Sequence, residues 1–485
     1  VSQREGLTVV RLKGSAFDMG YASGKLLEAR MKTLEDEFLV MIHSYVPQEW
    51  KIKILKNYIM FRNRRLSDYV SLEDRQQIHG TVLGCKDPHP ELGDYYNRML
   101  NYHAAHDVSY MMIDNPLISK AGCTAFGAWG GATENGHLIT GRNFDWEAAE
   151  VFSRDRVVIL SEPDGGIPFI SLSWASMAGV VSGMNRAGIS ITINGAPSSL
   201  PGETATPVAM VARDVLQTAR TLTNALEIIR NTRVFVSTLW LIGSKADGKF
   251  IVVEKTPEAM NVREADGDFI VSANHFQTEK LKDDQRNLRY MEEATSLPRY
   301  ARMSELVQTN HGGINATRAA EMLRDRNFPG GKFAGNGHRA TLNALIATHA
   351  TVMDLTEGIF WAASNLAREA VLVCWKKWLN MKANPKAKKS TPHKQVSTMH
   401  SISTLTVSRE RQKPASSIVK PTCIPKTRKA ATSVQTVLRG LTISAPLTSA
   451  SAANATFPLT MDVTNTIMSK SRPMPANLPA SSSFP

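Results

Sequence analysis

Apolar positions recur with a helical period near the start of the chain. Between residues 16 and 45 they lie mostly three or four positions apart, which predicts a long amphipathic helix. The positions that form this stripe are Phe17, Met19, Leu26, Leu27, Met31, Leu34, Phe38, Leu39 and Ile42. The helical pattern continues to about residue 115, with turns predicted at residues 88–90 (Pro-His-Pro) and 115–116 (Asn-Pro).

From residue 123 onward the pattern changes to short apolar runs separated by Gly, Asp or Asn. Strands are predicted over 123–133, 137–144, 157–161, 168–174, 180–184 and 189–193. The pattern then predicts a helix over 207–230, two hairpins turning at 246–248 and 265–268, a helical region over 299–326 and a strand pair within 342–363. This order predicts an α+β fold in which sheets are sandwiched between helical layers.

Composition adds few constraints. The chain has 485 residues, of which 42% are hydrophobic and 21% charged, values typical of globular proteins. No run approaches the roughly 18 apolar residues of a membrane span, and the start lacks an apolar signal core, so a soluble protein is expected. The sequence favours the cytoplasm but leaves the compartment open. The start also lacks Met, which indicates a removed leader or a fragment. The cysteines form neither a disulfide framework nor a zinc ligand set: Cys85, Cys123, Cys374 and Cys423.

The net charge of +13 lies at one end of the chain. Residues 379–485 contain fifteen Lys and Arg but two acids, whereas the first 378 residues are electrically balanced. This location removes the main argument for a nucleic-acid-binding globular domain. The segment is rich in Ser, Thr, Pro, Ala and Lys and is predicted to be disordered. A basic arm for nucleic acid or anionic lipid is one alternative, and translation past a shifted frame is another.

Candidate chemistry centres on Cys123. It follows Gly122, and Arg142 and Asp145 lie on the next predicted strand. A thiolate is the reactive form of cysteine, and a nearby Arg would favour it by Coulomb attraction. A cut before Cys123 would turn its own α-amino group into an adjacent base, with Asp145 placed to hold the new ammonium group. Gly122 suits such a cut because it has no Cβ. The alternative is a buried structural cysteine.

The run Gly-Cys-Thr at 122–124, together with Gly-Arg-Asn-Phe-Asp-Trp at 141–146, resembles the start of the catalytic chain in N-terminal nucleophile hydrolases. The resemblance is to their linear-amide group: choloylglycine hydrolases, penicillin V acylases, acid ceramidase-like amidases and the isopenicillin N acyltransferase family. Residues 183–189 (Gly-Met-Asn-Arg-Ala-Gly-Ile) resemble that group's turn between strands, and Asn194 follows where relatives keep an Asn near the nucleophile.

Two later segments and the opening of the chain extend the resemblance to about residues 8–370. Residues 271–276 resemble a segment bearing an oxyanion-binding Asn, here Asn274, and residues 298–303 resemble a segment that supplies a second active-site Arg, here Arg299. Residues 14–24 are similar to the opening of acyltransferase precursors. The resemblance implies the N-terminal nucleophile hydrolase fold, a four-layer αββα sandwich of two antiparallel sheets.

The resemblance also implies a domain organisation and a mechanism. Residues 1–122 would be a mainly helical pro-segment, 123–378 the catalytic domain and 379–485 the basic tail. Cys123 would cleave the bond after Gly122, and the two resulting chains would stay together. The freed Cys123 would then attack an N-acyl amide substrate and form a thioester. No metal or cofactor is implied. The sequence leaves open hydrolase or acyltransferase, the acyl and amine groups, and the oligomeric state.

Three other interpretations compete with this one. A catalytically silent homologue or binding protein would act through its basic tail, and a papain-like protease would need Cys123 at the start of a helix. His275 invites a Cys–His dyad, although a structural histidine is the simpler interpretation. Trp174 and Trp240 lie on apolar strands and are predicted to be core residues, with the wall of an acyl pocket as the alternative.

Overall fold

A computed structural model describes residues 1–4, 6–105, 107, 122–147, 149–175, 177–199, 203–363 and 370–373. The predicted turn at 115–116, Cys374, Cys423 and the tail at 379–485 lie outside the described residues. Within them the helices are α1 (Ala16–Tyr45), α2 (Glu49–Arg62), α3 (Leu72–Gly84), α4 (Tyr95–His103), α5 (Val151–Arg154), α6 (Val208–Thr218), α7 (Leu222–Asn231), α8 (Gln285–Glu293), α9 (Ser296–Thr309) and α10 (Ala316–Leu323).

The strands of the described residues form two sheets. Their bounds are β1 (Ser2–Arg4), β2 (Leu7–Gly14), β3 (Thr124–Gly130), β4 (Gly136–Asp145), β5 (Arg156–Pro163), β6 (Phe169–Trp174), β7 (Ser182–Asn185), β8 (Ile189–Gly195), β9 (Thr238–Ser244), β10 (Lys249–Lys255), β11 (Met260–Arg263), β12 (Phe269–Ser272), β13 (Ala347–Asp354), β14 (Ile359–Ala363) and β15 (Ala370–Val373). The larger sheet has the order β1-β2-β5-β6-β7-β8-β9-β10-β11, and the smaller has β12-β3-β4-β13-β14-β15. All pairs are antiparallel except β2 with β5.

Successive side chains of each strand point to opposite faces of its sheet. Apolar side chains on both faces let the two sheets pack on each other and on outer helices, which gives four layers. Val9 of the larger sheet and Ala125 of the smaller sheet belong to one apolar cluster between the sheets. Val10 faces the other way and packs with α1, α3 and α4, while Phe126 packs with α9 and α10. Helices α6 and α7 also cover the larger sheet, against Ile191 among others. Because neighbouring residues of a strand point to opposite faces, each sheet is buried on both sides. The predicted αββα sandwich is confirmed.

The leading segment is part of this sandwich. Its strand β2, which periodicity did not predict, pairs with β5 from the far side of Cys123. Its helices α1 and α3 cross with backbones in direct contact. A Cβ added to Gly20 would lie 2.0 Å from the Gln77 carbonyl oxygen, and one added to Gly84 would lie 2.3 Å from that of Tyr21. Only glycine permits this approach.

The helix predicted over 207–230 is two helices. The Asn185 side chain explains the break, because its Nδ2 donates to the carbonyl oxygens of Leu216 and Ala219, both at 2.8 Å. A continuous helix would use such carbonyls internally. Thr221 then caps α7 by accepting a hydrogen bond from the Asn224 N–H at 3.3 Å.

Candidate active site

Cys123 lies immediately before β3 and is buried, with 1% of its surface exposed. Strand β3 pairs with β4 so that Ala125 stands opposite Arg142. This register brings the Arg142 guanidinium to the thiol, with an Nη2–Sγ distance of 3.4 Å. Cys123 precedes a strand and not a helix, so the placement does not match the papain-like alternative.

Arg142 is held by three further acceptors. Its Nη1 donates to the Val181 carbonyl oxygen at 2.9 Å and to the Ser182 hydroxyl, and its Nη2 donates to the Ile193 carbonyl oxygen. The ring of Phe144 lies 4.3 Å from the guanidinium carbon, in a cation–π arrangement. The guanidinium is therefore fixed in one orientation, although it is fully buried.

The Cys123 thiol experiences opposing influences. Burial raises its pKa, the charge of Arg142 lowers it, and the charge of Asp145 raises it. The net direction is upward, so the thiol of the uncut chain is protonated at neutral pH. A proton acceptor must therefore take part before this sulfur can act as a nucleophile.

Asp145, at the end of β4, has an unusual environment. It is buried, and neither carboxylate oxygen has a hydrogen-bond partner among the described residues. Burial raises the pKa of this carboxyl to about 7, against the lowering effect of the charges of Arg299 and Arg142. Its backbone carbonyl accepts a hydrogen bond from the Gly122 N–H at 3.1 Å. A carboxyl that titrates near neutral pH can accept or release a proton under working conditions.

Arg299 reaches the other side of the Gly122–Cys123 bond. Its Nη1 donates to the Cys123 carbonyl oxygen at 2.6 Å and to the Thr124 hydroxyl at 2.7 Å, and its Nη2 donates to Asn274 Oδ1 at 2.9 Å. A Cβ on Gly122 would lie 3.1 Å from Arg299 Nη2. The site therefore has little space for a side chain at position 122.

The two predicted asparagines lie near this cluster in different ways. Asn274 links Arg299 to the Gly195 carbonyl oxygen, to which its Nδ2 donates at 2.8 Å, and this leaves its second Nδ2 hydrogen for another acceptor. Asn194 follows Ile193, whose carbonyl receives Arg142. Its Nδ2 donates to Ser272, and its Oδ1 is buried without a partner among the described residues. Thus Arg142, Asp145 and Arg299 surround Cys123 directly, and the asparagines lie one contact further out.

Sequence reasoning missed a second layer behind Arg142. The Ser182 hydroxyl, which accepts a hydrogen bond from Arg142, lies 3.2 Å from Nε2 of His349. Nδ1 of the same imidazole lies 3.4 Å from the Thr348 hydroxyl. The His349 ring also stacks on Phe144, with 5.1 Å between centroids and 7° between planes. Burial and the charges of Arg142 and Arg156 lower the pKa of His349 far below its ordinary value, so this imidazole is neutral. These residues come from β7 and β13, and no local motif marks them.

His275 makes a different set of contacts. Its Nδ1 lies 2.8 Å from the Ser296 hydroxyl, and burial, with the charges of Arg263 and Arg299, lowers its pKa to about 4. This geometry places it beside the backbone of Asn274, which also binds Ser296. Within the described ranges, no three His, Cys, Asp or Glu side chains gather as a metal site would require.

An apolar cavity adjoins the site. It shares Phe144 and Val181 with the surroundings of Arg142, and helices α1 and α4 of the leading segment form its opposite wall. Its aromatic lining comprises Phe38, Tyr95, Tyr102, Phe144, Trp146, Phe152 and Trp174. Trp174 is buried in the core, as predicted, and its side chain also lines this cavity, whereas Trp240 is fully buried in the core.

Comparison with known proteins finds a family match to the part of the chain that contains most of this site. The family model of acyl-coenzyme A:6-aminopenicillanic acid acyl-transferase matches residues 132–356. The chain resembles this acyltransferase family. The resemblance expected from the motifs is confirmed, and the matched range contains five of the predicted site residues: Arg142, Asp145, Asn194, Asn274 and Arg299.

Individual relatives of this acyltransferase-like chain are distant. An uncharacterised protein of Archaeoglobus fulgidus is 25% identical over 395 residues, 74% of this chain and 63% of that protein. The N-acylethanolamine-hydrolyzing acid amidase of Caenorhabditis elegans is 23% identical over 256 residues, 50% of this chain and 67% of that protein. A solved variant of the conjugated bile acid hydrolase of Clostridium perfringens is 14% identical, with 53% of this chain and 93% of that one covered and a TM-score of 0.37. The chain spans about half to two thirds of the curated relatives it matches.

Proposed function

We propose that this chain is a self-cleaving cysteine amidohydrolase or acyltransferase that acts on linear amides. In the first step Cys123 Sγ attacks the Gly122 carbonyl carbon. The Gly122–Cys123 peptide bond breaks, its nitrogen takes a proton and becomes a free amine, and Gly122 is left as a thioester on Sγ. Water then hydrolyses the thioester to a Gly122 carboxylate and a free thiol. The observation that carries this proposal is the buried thiol between fixed Arg142 and unpartnered Asp145.

The residues have distinct roles in that step. Asp145 accepts the thiol proton, because its raised pKa makes it a base near neutral pH. Arg142 stabilises the developing thiolate by its charge. After the cut, the new α-amine of Cys123 serves as the base for substrate, and Asp145 holds its ammonium form.

Substrate turnover then uses the free Cys123. The thiolate attacks the amide carbonyl of the substrate, and the open Nδ2 hydrogen of Asn274 stabilises the oxyanion, a contribution of about 3–4 kcal/mol in comparable sites. The amine leaves, and water or a second amine resolves the acyl-enzyme. The aromatic lining of the neighbouring cavity supports an apolar acyl group.

The cut leading segment stays bound in this proposal. Its strand β2 pairs with β5 across eight-residue strands, and Arg213 of α6 forms a buried ion pair with Asp74 of α3, with Nε and Oδ1 2.9 Å apart. The Nη2 of Arg213 also donates to Gln77 at 2.6 Å. Replacing one partner alone would leave an uncompensated buried charge, at a cost of about 3–5 kcal/mol. The segments are held together by the apolar surface that α1, α3 and α4 bury against the larger sheet.

The test is the intact mass of the purified chain beside its Cys123→Ala variant. Wild type is expected to yield two fragments that elute together, the larger beginning at Cys123, and the variant is expected to remain one chain. A wild-type chain that stays whole and still cleaves amides would refute self-activation. Cleavage that persists in the Cys123→Ala variant would refute the assignment of the nucleophile.

A further inference from the structure

Helix α2 stands apart from every other long helix of the described residues, because none of its 14 residues is buried. Four large apolar side chains follow one another along it at intervals of four, four and three residues. They are strongly exposed: Trp50 at 62%, Ile54 at 59%, Tyr58 at 58% and Phe61 at 66%. This spacing places them on one face of the helix.

The charges of the same segment are almost all positive. Residues 48–65 contain a single acid, Glu49, and six basic residues: Lys51, Lys53, Lys56, Arg62, Arg64 and Arg65. Two of the cations lie over the aromatic rings of the apolar face, Lys51 at 5.4 Å from the Trp50 ring and Arg64 at 4.3 Å from the Phe61 ring. Aromatic and basic side chains are therefore interleaved on one surface.

Helix α2 makes polar contacts with the rest of the chain near its carboxyl end. The Arg62 carbonyl oxygen accepts from the Thr204 hydroxyl at 3.0 Å, and the Asn63 side chain donates to Asn101 at 2.8 Å. Lys56 Nζ reaches the Leu92 carbonyl oxygen at 3.4 Å. The apolar face takes no part in these contacts and remains available to a partner.

We propose that α2 is an interfacial helix that binds an anionic lipid surface. A helix with aromatic residues on one face and Lys and Arg around them lies at the boundary between headgroups and acyl chains, and anionic lipids attract its charge. The basic tail of this chain is an unsuitable occupant because it carries the same sign of charge. A second copy is disfavoured too, since a two-fold contact would bring identical basic faces together.

The test measures cosedimentation of the full chain with vesicles of phosphatidylcholine and of an equimolar mixture with phosphatidylserine. Wild type is expected to bind the mixed vesicles, to release them as salt rises, and to bind phosphatidylcholine weakly. The Trp50→Ser/Phe61→Ser double variant, which changes no charge, is expected to bind the mixed vesicles about tenfold less. The tail is unchanged in this variant, so its contribution stays constant.

Matched controls separate the helix from general surface effects. The Leu83→Ser/Leu345→Ser variant removes two exposed apolar side chains elsewhere and is expected to bind like wild type. Lys51→Glu/Lys53→Glu is expected to lose the preference for phosphatidylserine, and Lys13→Glu/Lys280→Glu to keep it.

Three results would overturn the proposal. They are equal binding to both vesicle types, binding by the Trp50→Ser/Phe61→Ser variant within about twofold of wild type, and a dimer in light scattering that the same variant abolishes. The proposal does not depend on the cysteine chemistry. Self-cleavage is measured in each variant, so that a loss of vesicle binding is distinguished from a loss of self-cleavage.

Discussion

The two buried charges beside Cys123 differ in how the protein surrounds them. Arg142 and Asp145 lie three residues apart on β4, and both are almost completely shielded from solvent. Arg142 donates to two carbonyl oxygens, a hydroxyl and the thiol. Asp145 accepts no side-chain hydrogen bond from any described residue. The buried guanidinium therefore has hydrogen-bond acceptors, whereas the buried carboxyl has no donor among the described residues.

This difference separates a fixed element from a reactive one. A buried polar group without a partner carries an energetic cost, and here the cost appears as a pKa raised to about 7. The proposed cut would create an ammonium group next to this carboxylate. The uncut chain would then hold a destabilised carboxyl that the cut relieves, while the surroundings of Arg142 stay the same before and after.

The largest effect is expected for Asp145→Asn. Losing the proton acceptor is expected to slow self-cleavage by about 100-fold or more, read as the fraction of uncut chain over time on a gel. Asp214→Asn is the matched control, because burial also raises the pKa of that carboxyl, to about 8, at a site outside the Cys123 cluster. Self-cleavage of the Asp145→Asn variant at the wild-type rate would exclude Asp145 as the base.

The same carboxyl predicts how stability depends on pH in the uncut Cys123→Ala chain. Because the folded pKa of Asp145 is about 7 and its ordinary value is 3.8, the folded state binds more protons between these pH values. Its contribution therefore lowers stability as pH rises from about 4 to 7, by at most about 4 kcal/mol. Adding Asp145→Asn should flatten this slope in urea unfolding. Histidines whose pKa is lowered, such as His103 at about 4, act in the opposite sense and remain constant between the two chains.

Arg142→Lys tests the cationic side and should have a smaller effect. Lysine keeps the charge but cannot serve all of the guanidinium's acceptors, so buried acceptors such as the Val181 carbonyl lose their donor. A loss of about 2 kcal/mol corresponds to roughly 30-fold slower cleavage. The pH dependence of iodoacetamide alkylation of Cys123, in Gly122→Pro chains that intact mass shows to be uncut, should shift to higher pH. An unchanged alkylation profile would mean that a cation at position 142 is sufficient and that the guanidinium hydrogen bond to Sγ does not affect the thiol's pKa.

Gly122→Ala tests how much space Arg299 leaves at position 122. Its Cβ would approach Arg299 Nη2 at 3.1 Å, so the arginine must move from the Cys123 carbonyl it holds. We expect about tenfold slower cleavage, since a misplacement of about 1 Å in an active site can cost about 100-fold and this shift is smaller. Gly267→Ala is the control, because its Cβ would meet no atom within 4 Å. Equal self-cleavage rates for the two variants would show that Arg299 can move away from position 122 without slowing cleavage.

The sequence could predict the inner part of this site because one hairpin builds it. Cys123 immediately precedes β3, and Arg142 and Asp145 lie on β4, which a short turn joins to β3, so their proximity follows from local pairing. Asn274 and Arg299 were predicted only through resemblance. Whether these five residues perform the proposed chemistry stays a prediction.

Other features depended on long-range packing. His349 and Ser182 lie on different sheets and meet only because the sheets stack, which no local pattern encodes. Strand β2 was missed because burial on both faces removes the alternation that would have marked it.

The smallest expected effect concerns the residues behind Arg142. Ser182 accepts from Arg142 and can donate its hydroxyl hydrogen to Nε2 of neutral His349, which orients its lone pairs toward the guanidinium. His349→Gln keeps an acceptor there but loses the stacking on Phe144, and we expect cleavage about threefold slower, with the alkylation profile of Cys123 shifted upward. His349→Leu removes the acceptor and should shift that profile further. The ordering matters more than the size: a leucine variant indistinguishable from the glutamine variant would mean that His349 supports Phe144 by packing and does not position Arg142 through Ser182.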